Sequence, residues 1–272
     1  MTTVTQTPAP VPAVPTRVAD SPYRLSFGHL LRSEWIKITS VRSTWWSLGV
    51  AAALSVAISM MIAGASSSFG PGFPAVSAIL MPTQFTMLVA GILGAIVITG
   101  EYSTGMIRSS LTAEPRRGAV LAAKATVVAV LMAVVTAVTY AISIAATAPL
   151  LTEGIDWSEP SLAIVPLAYG VLSMVVFTLI GLGFGFIVRN GAGAIAATVG
   201  VLFVLPIVVQ MFAMAGEGWR WIVDLGQYLP MNAASTLTSP GGDDIVPALL
   251  ALIGWTVVPL VIGWGVLRTR DA

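Results

Sequence analysis

LAIVPLAYGVLSMVVFTLIGLGFGFIV, residues 162–188, runs for 27 positions without an Asp, Glu, Lys or Arg. About 20 apolar residues rising 1.5 Å each cross a hydrocarbon core of roughly 30 Å. This stretch is therefore long enough to span a bilayer as a helix, with room for tilt. Five others share its character: Trp45–Ala63, Met81–Gly100, Ala125–Leu150, Ala192–Ala215 and Ile245–Leu267. Lipid cannot satisfy exposed backbone groups, and a barrel would need short alternating strands, so helix is the form expected for all six. Pro166 and the run Gly181, Gly183, Gly185 predict a kink in the fourth span. The fold class is an all-α membrane protein with six transmembrane helices.

Composition agrees. Hydrophobic residues make up 56% of the 272 and charged residues only 9%, against about 25% charged in a soluble domain. A net charge of +1 gives no electrostatic footprint for nucleic acid. Cysteine is absent and His29 is the only histidine, which excludes thiolate metal sites and any centre needing two histidines.

The charges lie outside the six stretches and fix an orientation. Twelve of the thirteen basic residues fall on one side: Arg17, Arg24, Arg32, Lys37 and Arg42; Arg108, Arg116, Arg117 and Lys124; Arg189; Arg268 and Arg270. Arg220 stands alone on the other, among Glu153, Asp156, Glu159, Glu217, Asp224, Asp243 and Asp244. By the positive-inside rule both termini are cytoplasmic in a multi-pass protein of the cell membrane.

Residues 1–25, rich in Thr, Pro, Ala and Val, read as a disordered cytoplasmic tail rather than a leader peptide. Residues 26–44 read as an amphipathic interfacial helix, with the transmembrane domain following over 45–272. Phe27, Leu30, Leu31, Trp35, Ile38 and Val41 share one face at 100° per residue. Glu34 interrupts that face, and Lys37 or Arg108 is the expected partner, unless it meets another protein. Trp45 and Trp46 mark the membrane boundary.

The spans carry no Asp, Glu, Lys, Arg or His, which disfavours a proton-coupled path and excludes an aspartyl intramembrane protease. No Gly-x-Ser-x-Gly elbow is present. The two lysines follow Ile36 and Ala123, so no phosphate-binding Gly-Lys-[Ser/Thr] exists. Any ATP hydrolysis must come from another chain, and no cofactor is expected on this one.

Two loops remain. The basic-side loop reads Glu101-Tyr102-Ser103-Thr104-Gly105-Met106-Ile107-Arg108 and continues through Leu111 to Pro115-Arg116-Arg117. Gly105 permits a turn, and Pro115 suits the first turn of the next helix. Met106, Ile107 and Leu111 offer apolar contacts, which a purely topological connector would not need. The loop 216–244 carries Trp219, Trp221 and Tyr228 and is too long to be structureless. It predicts short extracellular or re-entrant helices before the last span, or simple interfacial anchoring by the two tryptophans.

Glu101-Tyr102-Ser103-Thr104-Gly105-Met106-Ile107-Arg108, with Glu34-Trp35-x-Lys37-x-x-Ser40-x-Arg42-Ser43-x-Trp45 upstream, resembles permease subunits of type-2 ABC transporters over about residues 26–272. The resemblance implies that the loop after span 2 carries a coupling helix touching a separate ABC ATPase subunit. That helix would include Glu101, Tyr102, Gly105, Met106, Ile107, Arg108, Leu111, Arg116 and Arg117. It makes Glu34, Trp35, Lys37 and Arg42 part of a connecting helix, and Trp219, Trp221 and Tyr228 part of an outer lid. It also implies two permeases, as a homodimer or with a similar chain, embedded in membrane lipid. The expected function is export of an amphipathic or apolar substrate driven by ATP bound to the partner. An ATP-independent carrier and a membrane scaffold or immunity protein are the rival classes.

The lack of native cysteine makes the orientation directly testable. Single cysteines at Ser67, Ser158 and Ser239 should react with an impermeant maleimide in intact cells, and one at Ser109 only after lysis. Labelling at Ser109 from outside would reverse the topology.

Overall fold

The computed structural model describes residues 26–69, 73–151, 154–242 and 244–269. The proposed tail 1–25, Arg270, Glu153 and Asp243 lie outside the described residues. Among the described residues the protein is helical throughout, with no strand. Six helical segments are long and apolar enough to cross a membrane.

Ser26 caps α1 (Phe27–Ser40) by accepting from the His29 amide. Val41, extended at φ −85° and ψ 111°, breaks the chain before α2 (Arg42–Gly64). The amphipathic helix thus ends at Ser40, and Arg42 to Thr44 belong to the first span. The Trp45 indole donates to the Thr39 carbonyl at 2.8 Å and closes the corner.

The second span is α3 (Ala75–Leu80) joined through a turn at Met81 and Pro82 to α4 (Thr83–Thr104). Proline has no amide to continue the helix ladder, which places the break. The chain continues through α5 (Met106–Ala113), α6 (Arg117–Thr147) and α7 (Ile164–Val188). α7 runs as one unbroken helix through Pro166 and the glycine run. Pro166 sits in its first turn, where no intrahelical amide bond is lost.

The fifth span holds the break instead. It consists of α8 (Gly191–Val199), one π turn (Gly200–Val204) and α9 (Leu205–Phe212). Pro206 cannot bond to the carbonyl four residues back, and the wider turn before it absorbs the mismatch. Two short helices, α10 (Arg220–Gly226) and α11 (Pro230–Thr238), precede the last span α12 (Ile245–Thr269). Short helices were expected there. Ala233, Ala234 and Leu237 of α11 are buried in the main core.

The centre of the bundle is α7, packed against α4, α6, α8, α11 and α12. Its glycines Gly181 and Gly183 let neighbouring helices approach closely. A Cβ on Gly181 would collide with the Gly91 carbonyl of α4, and one on Gly94 with the Thr178 carbonyl of α7. Gly183 takes Pro259 of α12 in the same way, at 2.6 Å from a notional Cβ to the ring. Four buried threonines bond within their own helices: Thr99, Thr139, Thr178 and Thr198 each donate to their own i−4 carbonyl at 2.7–2.9 Å.

Gly181→Ala should destabilise the bundle by about 1–3 kcal/mol, as overpacking does when backbone must move. Gly254→Ala, with nothing within 4 Å of its Cβ position, should shift stability by less than about 0.5 kcal/mol. Reversible unfolding in mixed micelles compares the two, and equal effects would refute the seam.

Candidate functional site

The bundle end that collects the basic residues is assembled from α1, α4, α5, α6, α7 and α12. Gly105, at φ 72°, ends α4 and opens α5 in a left-handed conformation that glycine adopts without strain. Glu114, extended before Pro115, closes α5, since a residue preceding proline is driven out of the helical region. Pro115 therefore terminates α5, and α6 starts two residues later, contrary to its expected place inside α6.

The main feature is a closed ring of four alternating charges. Lys37 Nζ lies 2.7 Å from Glu34 Oε1 and 3.2 Å from Glu101 Oε1. Lys124 Nζ lies 2.8 Å from the same Glu101 oxygen and makes a short bond to Glu34 Oε2. Lys37 also donates to Ser110 Oγ of α5 at 3.0 Å. The ring thus ties α1, α4, α5 and α6 together. Glu34, Glu101 and Lys124 are all at most 5% exposed. Burial opposes the charge on Lys37, but hydrogen bonds and attraction from Glu34 and Glu101 outweigh it and raise its pKa, so it stays protonated at neutral pH. A cavity of about 280 Å³ opens beside the ring, lined in part by Ile96, Val97, Met106 and Val128.

This arrangement corrects the reading of α1. Glu34 does not interrupt a lipid-facing stripe; it lies within the stripe that packs on protein, with Leu31 and Ile38 in the core cluster. Phe27, Trp35 and Val41 are exposed instead. Lys37 is the expected partner of Glu34, while Arg108 is exposed and takes no part in the ring. Glu101 belongs to α4 itself, not to a projecting loop.

Around α5 the expected contacts divide. Met106 and Arg108 are exposed, and Met106 is 41% open. Ile107 is 2% exposed and packs with Ile98, Leu182, Phe186 and Leu267, joined by Leu111 and Tyr102. Ile107 therefore cannot fill a groove on another subunit, because it fills one in its own chain. Arg189, left-handed at the end of α7, lies over the Tyr102 ring at 5.3 Å and donates to the Val266 carbonyl at 2.7 Å. Arg117 donates to the carbonyls of Leu267 and Arg268, so two guanidiniums cap the end of α12. Arg116 grips Glu114 through two hydrogen bonds of 2.8 and 3.0 Å and holds its carboxyl below the usual carboxylate range. Arg42 is exposed at the start of α2.

Trp219, Trp221 and Tyr228 are gathered at the opposite end and remain exposed. The Tyr228 carbonyl accepts from the Trp255 indole at 2.9 Å, and Trp219 lies 5.3 Å from the Phe212 ring.

The family described as ABC-2 family transporter protein matches residues 23–272. The chain belongs to that family. It is a multi-span permease component of an ABC transporter, and membership implies association with an ABC ATPase subunit. No curated protein matches this permease.

Lys124, Ser110, Arg189 and the α12 carbonyls were missing from the sequence-derived site. One signal was available: the permease has two lysines against eleven arginines, and both lysines are in the ring.

Lys124→Met should cost about 3–5 kcal/mol, because it leaves two buried carboxylates to share the single charge of Lys37. Adding Glu101→Gln removes one of them, so the double variant should lose less than the sum of the single losses. Chemical unfolding of the four proteins forms the cycle, and strict additivity would show that the ring is not coupled.

Proposed function

We propose that this permease is the membrane part of an ATP-driven exporter and that α5 receives force from a separate ATPase subunit. The observation that carries this reading is the Ser110–Lys37 hydrogen bond at 3.0 Å. It joins the exposed α5 to a ring whose other members sit on α1, α4 and α6. A displacement of α5 is therefore passed to three helices at once. Its inner side, Ile107 and Leu111, is anchored in the permease core. Its outer side presents Met106, Arg108, Ser109 and Thr112, a mixed apolar and cationic surface suited to a protein partner. Missing Gly-Lys-[Ser/Thr] in the chain supports placing nucleotide on that partner.

The basic end would face the cytoplasm and the exposed tryptophans the exterior, in the cell membrane of an organism that assembles two such permeases with two ATPases. At the outer end a cavity of about 160 Å³ lies between α3, α4 and α11. Its walls combine Met81, Met87, Phe177 and Met231 with Thr83 and Gln84, and no charged side chain lines it. Apolar walls with neutral hydrogen-bonding groups fit an amphipathic or apolar substrate.

Met106→Asp should weaken ATPase association by roughly 1–4 kcal/mol or uncouple hydrolysis from transport, leaving insertion intact. Ile107→Asp should fail earlier, by destabilising the permease itself. Ser110→Ala should assemble but transport less per ATP hydrolysed. Co-purification with the ATPase subunit and paired hydrolysis and transport rates in proteoliposomes separate these outcomes. Unchanged behaviour of both Met106→Asp and Ser110→Ala would remove α5 from the power path. Saturable ATP binding by the isolated permease would argue against the division of labour.

A further inference from the structure

At the basic end, an open cavity of about 600 Å³ lies between the start of α6 and the end of α12. Its lining is Pro115, Arg116, Arg117, Gly118, Ala119, Trp264 and Arg268, with no acidic side chain among them. The wall offers donors: three guanidiniums and one indole N–H. The Arg268 guanidinium lies over the Trp264 ring at 4.7 Å and has no ion-pair partner among the described residues. Trp264 Nε1 makes no hydrogen bond among the described residues. It stands 3.0 Å from the position a Cβ on Gly118 would take, so glycine there keeps the floor beside the indole open. Glu114 lies just outside and offsets Arg116, and Arg117 is engaged with the end of α12. A 31-residue helix, α6, also starts here with no side-chain cap, adding its positive dipole end.

A donor-only wall selects an anion with several acceptor oxygens, and guanidinium geometry favours a phosphate group. Two sources of phosphate differ in what lies below it. Here α12 continues from Trp264 into exposed Ile262, Val261, Val258 and Val257. This apolar strip would lie against an acyl chain and offers nothing to a free ion. Tryptophan at the rim of a span is itself an interfacial group. We propose that this cavity binds the phosphate headgroup of an anionic phospholipid, whose chains run along α12. The bound headgroup would bridge α6 and α12 beside the Arg117 cap, at the end of the bundle that carries α5.

The test is native mass spectrometry of the full-length permease released from nanodiscs of mixed phosphatidylglycerol and phosphatidylcholine. The wild type should retain phosphatidylglycerol in preference. Each basic group near a membrane surface contributes a factor of about five to anionic-lipid attraction, so Arg116→Gln with Arg268→Gln should reduce that preference roughly 20-fold. Arg116→Lys with Arg268→Lys should restore much of it, which loss of fold would not allow. Arg108→Gln, on α5 outside the cavity, should leave it unchanged. Millimolar inorganic phosphate should not displace the lipid; displacement would assign the site to free phosphate and overturn the lipid reading. Equal retention of both lipids by the wild type, or an equal loss in Arg108→Gln, would overturn the site. If the glutamine pair abolished ATPase co-purification while lipid retention stayed intact, the arginines would belong to a protein interface instead.

Discussion

Hydrocarbon gives helices no reward for hiding apolar side chains from it, because the lipid is as apolar as they are. The bundle must therefore gain its cohesion from close contact, and the α4–α7 seam is where contact is closest. At Gly94 and Gly181 a carbonyl oxygen of one helix sits where the other would carry a Cβ. Gly183 makes similar room for Pro259 of α12. With α4 and α12 held on opposite sides of α7, the remaining spans have a fixed surface to pack on. The positions of Glu101 at the end of α4 and of Arg189 at the end of α7 follow from that seam.

At the basic end the energetic logic changes from dispersion to electrostatics. Three charges are withdrawn from water and the fourth, Lys37, is partly so, and each has two opposite neighbours in a ring that is neutral as a whole. Such a cluster adds little net stability over an apolar replacement, since desolvation consumes most of the attraction. What it supplies is geometry: the ring closes only when α1, α4 and α6 are in register. Ser110 then fastens α5 to that register. A short helix anchored by Ile107 and Leu111 on one side and open at Met106 and Arg108 on the other has little freedom to move alone. Under the proposed coupling, that rigidity is what makes it a lever.

The sequence by itself determined the number of spans, the helical class and the segregation of basic from acidic ends, because each depends on local composition measured against a bilayer. It also marked the short helices before the last span, and through Glu34, Lys37 and Glu101 it named three of the four ring members. Only the tertiary structure decided how those charges are joined. Glu34, Glu101 and Lys124 come from helices 23 to 90 positions apart, and no periodicity reports a contact between helices. For the same reason Ile107 read as a docking residue although it faces its own core. The α7 glycines read as the site of a kink, and the structure shows them seating neighbouring helices, because a glycine run carries the same letters whether it bends a helix or lets another one approach. The break fell in the fifth span at Pro206, deep in a helix where its missing amide has to be accommodated, and not at Pro166, where the first turn has no such bond to lose.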